Sequence, residues 1–188
     1  MKNIVLAGIP RSGKTTFLKM IKSEFPNYNI VDSDAFMSAC IKANKVNKEN
    51  CITTITMEKE KWDKILNNYF KYSIEYLGNH FNFILDTSHI DVNQLLEYKK
   101  SGYIVLVFGY PNISFEQKVN EILTYDTEDD WTYIESVKSI ERYVDIYIDD
   151  SKELLETCQK ENLRFVDTSF NREEVLKKLL NEIKKEIN

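Results

Sequence analysis

The sequence predicts an α/β fold: a three-layer sandwich on a mostly parallel five-stranded sheet. Two observations carry this. Short apolar runs of strand length alternate along the chain with segments whose apolar residues recur every three or four positions, the order that links parallel strands through helical crossovers. Four of those runs end in Gly8, Asp32, Asp86 or Asp167, so residues with chemistry to offer gather at the carboxyl edge of the sheet, where such sheets bind ligands.

Taken in order, Lys2 to Ala7 is an apolar run ending at Gly8 and reads as a buried strand. Phe17, Leu18, Ile21 and Phe25 then recur at helical spacing until Pro26-Asn27 stops the helix. Tyr28 to Val31 is a second strand. Ala35 to Ala43 has a helical pattern, and Asn44 to Thr56 is polar and reads as loop. Trp62, Ile65, Leu66, Tyr69, Phe70 and Ile74 place a long helix over Glu58 to Leu77, closed by Gly78-Asn79. Phe81 to Leu85 is a third strand, and a helix follows over about 92 to 100. Tyr103 to Phe108 is the most apolar run of all and predicts a central strand. Ser114 to Leu123 is helical, and residues 124 to 132 form an acidic loop. Tyr133 to Lys160 is mostly helical because Ile140, Val144 and Ile148 fall four apart; Val144, Ile146 and Ile148 also alternate, which keeps a strand open there. Leu163 to Val166 is a last strand. Arg172 to Ile187 is an amphipathic helix with Val175, Leu176, Leu179, Leu180 and Ile183 on one face.

The 188 residues suit one domain, and no repeat, low-complexity stretch or Pro/Gly-rich linker divides them. A hydrophobic content of 43% and a charged content of 29% are those of a soluble globular protein. No apolar run approaches the length needed to span a membrane. The first residues lack a signal-peptide layout, and Cys40, Cys51 and Cys158 lack metal-binding spacing, so free thiols and a cytoplasmic setting are expected. A net charge of −5 weighs against a broad nucleic-acid surface.

The strongest signal is Gly8-Ile9-Pro10-Arg11-Ser12-Gly13-Lys14-Thr15, which meets the Walker A pattern G-x-x-x-x-G-K-[ST] in full. The glycines permit a backbone that turns successive N–H groups inward as an anion nest, and the helix that follows adds its positive end. Lys14 is placed to reach the outer phosphates, the Thr15 hydroxyl to ligate Mg²⁺, and Ser12 and Thr16 to extend the phosphate contacts. The pattern arises by chance in under about 1% of chains this long. Arg11 points either to a phosphate or the adenine, or simply to solvent.

Two acidic sites complete the set. Asp32-Ser33-Asp34 ends the second strand; there Asp32 can hold Mg²⁺ through water while Asp34 accepts a proton from a substrate hydroxyl, or the pair can serve as a helix cap. Asp86 ends the third strand in the Walker B manner, facing the water shell of the metal. His89 is either an acceptor-site residue or a surface histidine.

These stretches resemble the P-loop kinase group that includes adenylate, shikimate and polynucleotide 5′-hydroxyl kinases. Gly8 to Thr16 is similar to their phosphate loop. Val31-Asp32-Ser33-Asp34 looks like the D-x-D of shikimate kinases, and Ile84-Leu85-Asp86-Thr87-Ser88 like the D-T-N of polynucleotide-kinase-like proteins. Phe165 to Ser169 looks like the segment that packs near adenine. The resemblance implies a nucleotide-kinase-like P-loop NTPase fold, ATP and Mg²⁺ as cofactors, an acceptor-binding insertion at about 35–60 and a lid at about 110–142. There are departures. The D-G-F-P-R of nucleoside monophosphate kinases and the glycine-rich and arginine motifs of shikimate kinases are absent, and residues 35–60 contain no Arg. Arg is the usual bidentate phosphate clamp, so the expected acceptor is an uncharged or cationic hydroxyl compound. Arg142 is the lone arginine of the lid, with Lys118 and Lys138 behind it; its alternative reading is a solvated helix residue. The acidic loop with Asp126, Glu128, Asp129 and Asp130 reads as solvated, or as a seat for a cationic acceptor. Trp131 and Tyr133 read as packing residues. The expected function is ATP-dependent phosphorylation of a small-molecule hydroxyl. The alternatives are a polynucleotide 5′-hydroxyl kinase and a nucleotide-binding regulator that transfers nothing.

Overall fold

The computed structural model describes residues 2–35, 68, 71–73, 75–78, 80–88, 91–128 and 130–187. The expected acceptor-binding insertion lies outside them except for Ala35, as do His89, Asp129, Cys40, Cys51 and most of the helix expected over 58–77. The described residues of that helix, 68, 71–73 and 75–77, are helical, and the helix runs on through Gly78.

Strands β1 (Ile4–Gly8), β2 (Asn29–Asp32), β3 (Phe83–Asp86), β4 (Ile104–Gly109) and β5 (Arg164–Asp167) form one sheet in the order β2-β3-β1-β4-β5, and all of them run parallel. The helices are α1 (Lys14–Glu24), α2 (Val92–Lys100), α3 (Phe115–Tyr125), α4 (Val137–Lys160) and α5 (Arg172–Ile187), and they cover both faces. This is the expected α/β sandwich. Among the described residues no helix is long and apolar enough to cross a membrane. The chain divides into two compact units, one of residues 1–7 and 18–105, the other of residues 8–17 and 106–186.

In the first unit, β1 and β2 both pair with β3: Leu6 stands opposite Asp86, and so does Asp32. Ile4, Val5, Leu6, Phe83, Ile84 and Leu85 are fully buried, which explains why these strands read as unbroken apolar runs. Asn3 satisfies the start of β3, its Oδ1 accepting from the Phe83 amide at 3.1 Å. The buried Tyr28 donates its hydroxyl to the Lys2 carbonyl at 2.6 Å, and burial raises its pKa. Asp91 caps α2 by accepting from the Gln94 amide at 2.9 Å, and Leu95 and Tyr98 face inward.

In the second unit, β4 is buried throughout and pairs with β5 from Leu106–Arg164 to Gly109–Asp167. Ile9, Tyr110, Ile113, Val119, Ile122, Ile140, Val144 and Ile148 form its core. A capping box of Ser114 and Gln117 starts α3. The helical reading of 133–160 holds from Val137: Val144 and Ile148 are buried while Ile146, between them, is 45% exposed. Tyr133 is 53% exposed, so it does not pack as expected, and Trp131 rests edge-on against Tyr143 rather than in the core. Leu176, Leu179, Leu180 and Ile183 seat α5, each buried side chain contributing about 2 kcal/mol.

Candidate active site

The phosphate loop lies in the second unit. Its first glycine is demanded by contact: Gly8 has φ +125°, and a Cβ there would meet the Phe108 carbonyl oxygen at 2.1 Å. Gly13 has φ +93°, and a Cβ there would press on the Arg172 side chain at 3.2 Å. The Ile9 amide joins the loop to β4 by donating to the Phe108 carbonyl at 2.9 Å.

Every carbonyl from Gly8 to Gly13 accepts a hydrogen bond. Lys14 Nζ donates to Gly8 and Ile9 at 2.9 and 2.8 Å. Ser12 Oγ donates to Ile9 at 2.7 Å. Tyr110 Oη donates to Pro10 at 3.0 Å, Lys118 Nζ to Arg11 at 2.8 Å and Thr168 Oγ1 to Ser12 at 2.9 Å. The Phe17 amide donates to Gly13 at 3.0 Å, the first turn of α1. Of these peptide units, Gly8–Ile9 has its N–H bonded to Phe108 and Ile9–Pro10 has none, so the amides that can build an anion nest are those of Arg11, Ser12, Gly13 and Lys14. Ser12 and Lys14 are buried; Thr15 and Thr16 are exposed on the first turn of α1.

Arg11 has φ +62°, unusual for a residue with a side chain, and its guanidinium turns to the acidic loop. It pairs with Asp126 at 2.5 Å and, in closer contact, with Asp130. Asp130 is anchored by the Thr127 amide and hydroxyl, each at 3.0 Å, and Asp126 by the Thr132 hydroxyl at 2.7 Å. This corrects the reading of that loop as solvated: Asp126 and Asp130 are ion-pair partners of the phosphate loop, separated from Arg11 by more than a hundred residues of sequence. Arg11, left open in sequence between a phosphate, the adenine and solvent, thus has two carboxylate partners.

Lys118, expected as a secondary lid cation, is instead buried, with Nζ 4.0 Å from the centre of the Tyr110 ring and 3.3 Å from Glu121. Burial lowers its pKa to about 8, against the pull of Glu121. Glu121 also pairs with Arg172. Arg142 is exposed on α4. Beyond the loop, Asn112 Nδ2 donates to Asp167 at 2.7 Å, and the Asn112 amide to Ser169 Oγ at 2.9 Å, joining the ends of β4 and β5 where the adenine-side segment is expected.

The acidic residues belong to the first unit. Asp32 and Asp86 are register partners at the ends of adjacent strands. Asp32 caps the helical turn that starts at Ser33, its Oδ1 accepting from the Asp34 and Ala35 amides at 2.8 and 3.3 Å. The cap therefore forms, and it uses one of the two carboxylate oxygens. Asp34 is exposed and Asp86 half-buried. The Thr15 hydroxyl in the second unit and the Asp32 and Asp86 carboxylates in the first are each hard oxygen donors of the kind Mg²⁺ takes; that ion keeps several waters and needs no all-protein cage. Among the described residues no group of three or more His, Cys, Asp or Glu forms such a cage.

No protein-family model matches the sequence, and no curated protein matches it. The fold does have a solved counterpart. The crystal structure of shikimate kinase from Bacteroides thetaiotaomicron matches with a TM-score of 0.59, over 97% of this chain and 98% of that one, at 11% identity. The chain thus has the fold of a P-loop kinase.

Proposed function

We propose that this protein is an ATP- and Mg²⁺-dependent phosphotransferase acting on a hydroxyl group of a small molecule. The phosphate loop carries the reading: its spacing is complete, and each of the six carbonyls from Gly8 to Gly13 is engaged by a donor. The kinase-like fold supports it. In this reading the loop amides and Lys14 bind the β- and γ-phosphates, and Thr15 with Asp32 and Asp86 hold Mg²⁺, directly or through water. The metal, when bound, neutralises charge developing on the phosphate oxygens. The acceptor oxygen bonds to the γ-phosphorus as the bond to the ADP oxygen breaks, and Asp34 takes the hydroxyl proton. Such catalysis is positioning and electrostatics more than covalent chemistry.

One observation favours a second reading, a nucleotide-binding regulator that transfers nothing. Arg11 is neutralised by two carboxylates and Arg142 is solvated, so few arginines remain to stabilise a transferring phosphoryl group.

One experiment separates the two. Transfer from γ-labelled ATP with Mg²⁺ is measured against pooled alcohols, sugars, nucleosides and 5′-hydroxyl oligonucleotides, for wild type, Lys14→Ala and Asp34→Asn. Acceptor-dependent transfer lost in both variants is the expected result. Saturable ATP binding with no transfer to any acceptor would favour the regulator, and no binding would refute both.

A further inference from the structure

We infer that Lys118 is the positioning residue of the phosphate loop: a buried cation behind the nest that fixes the Arg11 peptide and supplies positive charge beneath the bound phosphates. The inference rests on the nucleotide-binding reading above and extends it to a residue outside the motif.

Three observations carry it. First, Lys118 is almost wholly buried, 2% exposed, although lysine is among the residues least often found inside. Second, its Nζ donates to the carbonyl of Arg11, the one described residue of the loop, glycines aside, with positive φ. A left-handed conformation costs a residue with a Cβ roughly 1–2 kcal/mol, so it persists only where its surroundings hold it. Third, Lys118 belongs to a chain of contacts that returns to the same loop. Glu121 pairs with both Lys118 and Arg172, and the Arg172 side chain lies against Gly13. The two ends of the Arg11-Ser12-Gly13 turn are thus held from behind by one network.

The charge matters beyond the hydrogen bond. The groups facing the ammonium are Arg11 of the loop, Glu121 of α3, Arg172 of α5 and the Tyr110 ring after β4; Tyr147 and Asp150 of α4 act on Tyr110 in turn. Of the two carboxylates, Glu121 is shared with Arg172 and Asp150 lies beyond the tyrosine. The ammonium is therefore not fully cancelled and adds to the field of the nest. Burial has already lowered its pKa to about 8, and a bound polyphosphate would draw it back up. Binding then takes up a proton near pH 8, and affinity falls as the free protein loses that proton at higher pH.

The test is binding of magnesium-free ADP by titration calorimetry between pH 6.5 and 9.5, in buffers of different ionisation heat. Wild type is expected to take up a fraction of a proton near pH 8 and to weaken above it by up to about tenfold per pH unit. Lys118→Met keeps the side chain's bulk and leaves Glu121 paired with Arg172. It is expected to fold, to bind ADP at least about tenfold more weakly at pH 7, and to show neither proton uptake nor a break near pH 8. Glu121→Gln keeps the lysine but removes the carboxylate that raises its pKa, so the break should move to lower pH. A folded Lys118→Met variant with wild-type affinity, or with the wild-type pH profile, would overturn the inference and leave the nucleotide reading intact. Failure of wild type to bind ADP at any pH would overturn both.

Discussion

Replacing Asp130 by Asn removes one of the two carboxylates that hold Arg11, and the structure sets the size of the effect. The Arg11 side chain is 17% exposed, that of Asp130 30% and that of Asp126 8%. The pair therefore lies between a surface ion pair, worth up to about 1 kcal/mol, and a buried one, whose disruption costs about 3–5 kcal/mol. Arg11 keeps Asp126, so no uncompensated charge remains, and solvent screens the open side. The low end applies, about 1 kcal/mol, which in a chain of 188 residues lowers Tm by about 2–4 °C. The pH dependence has a definite sign. Burial alone would raise the pKa of Asp130, but the Thr127 backbone and side-chain hydrogen bonds, followed by Arg11, outweigh it and hold the carboxyl below its usual value. A carboxyl held low in the folded state contributes stability above its unfolded pKa and loses it as pH falls through the folded value. Melting curves followed by circular dichroism, at pH 7 and in steps below pH 4, at low and high salt, make the test. The gap between wild type and Asp130→Asn should be full at pH 7, shrink in about 1 M salt and close in acid. A gap that changed with pH but not with salt would mean that the aspartate acts through Thr127 alone, and one unchanged by both that it acts by shape; either would refute the ion-pair reasoning.

Two further outcomes follow from the same loop. Thr168→Val removes the hydroxyl that donates to Ser12 and, at 3.0 Å, to Gly109. Thermal melts should show a loss of about 1–3 kcal/mol, and ADP titration a weaker affinity, because the Ser12 carbonyl loses its buried donor. Gly8→Ala places a methyl 2.1 Å from the Phe108 carbonyl oxygen at φ +125°, so a loss above about 4 kcal/mol, or no folded protein by circular dichroism, is expected; a stable variant would contradict the close approach of β1 and β4 at that point.

The fold was legible because its signals are local. Buried parallel strands are continuous apolar runs, and α5 advertises its inner face through Val175, Leu176, Leu179 and Leu180. At Val144, Ile146 and Ile148 two periods competed, and the fourfold spacing that Ile140 shares with Val144 and Ile148 decided for helix; the structure has a 24-residue α4 there. The front of the phosphate loop was legible for a different reason: anion binding by backbone amides restricts which residues can stand at Gly8 and Gly13. Its rear was not. Tyr110, Lys118 and Thr168 reach the loop across 100, 107 and 156 residues, and no local period reports such pairings. Lys118 did leave a trace. It occupies the apolar stripe of α3 together with Phe115, Val119 and Ile122, a position where a charged residue demands a partner. The acidic loop misled because composition favours solvation, whereas its partner was a single arginine far away in sequence.

The arrangement implies that anion affinity and stability share a cause at some positions and separate at others. A phosphate nest works only if its peptide units are oriented before the ligand arrives; otherwise binding must supply the cost of ordering them. Here that orientation comes from side chains on α3, from residues just past β4 and β5, and from the loop itself. Weakening a rear bond, as in Thr168→Val, should therefore lower stability and ADP affinity together. The Arg11 cluster is different. Its two carboxylates stabilise the fold while placing net negative charge beside an anion site, so Asp130→Asn should lower stability and raise ADP affinity. A variant set in which affinity tracked stability at both positions would mean that the acidic loop exerts no field on the nest.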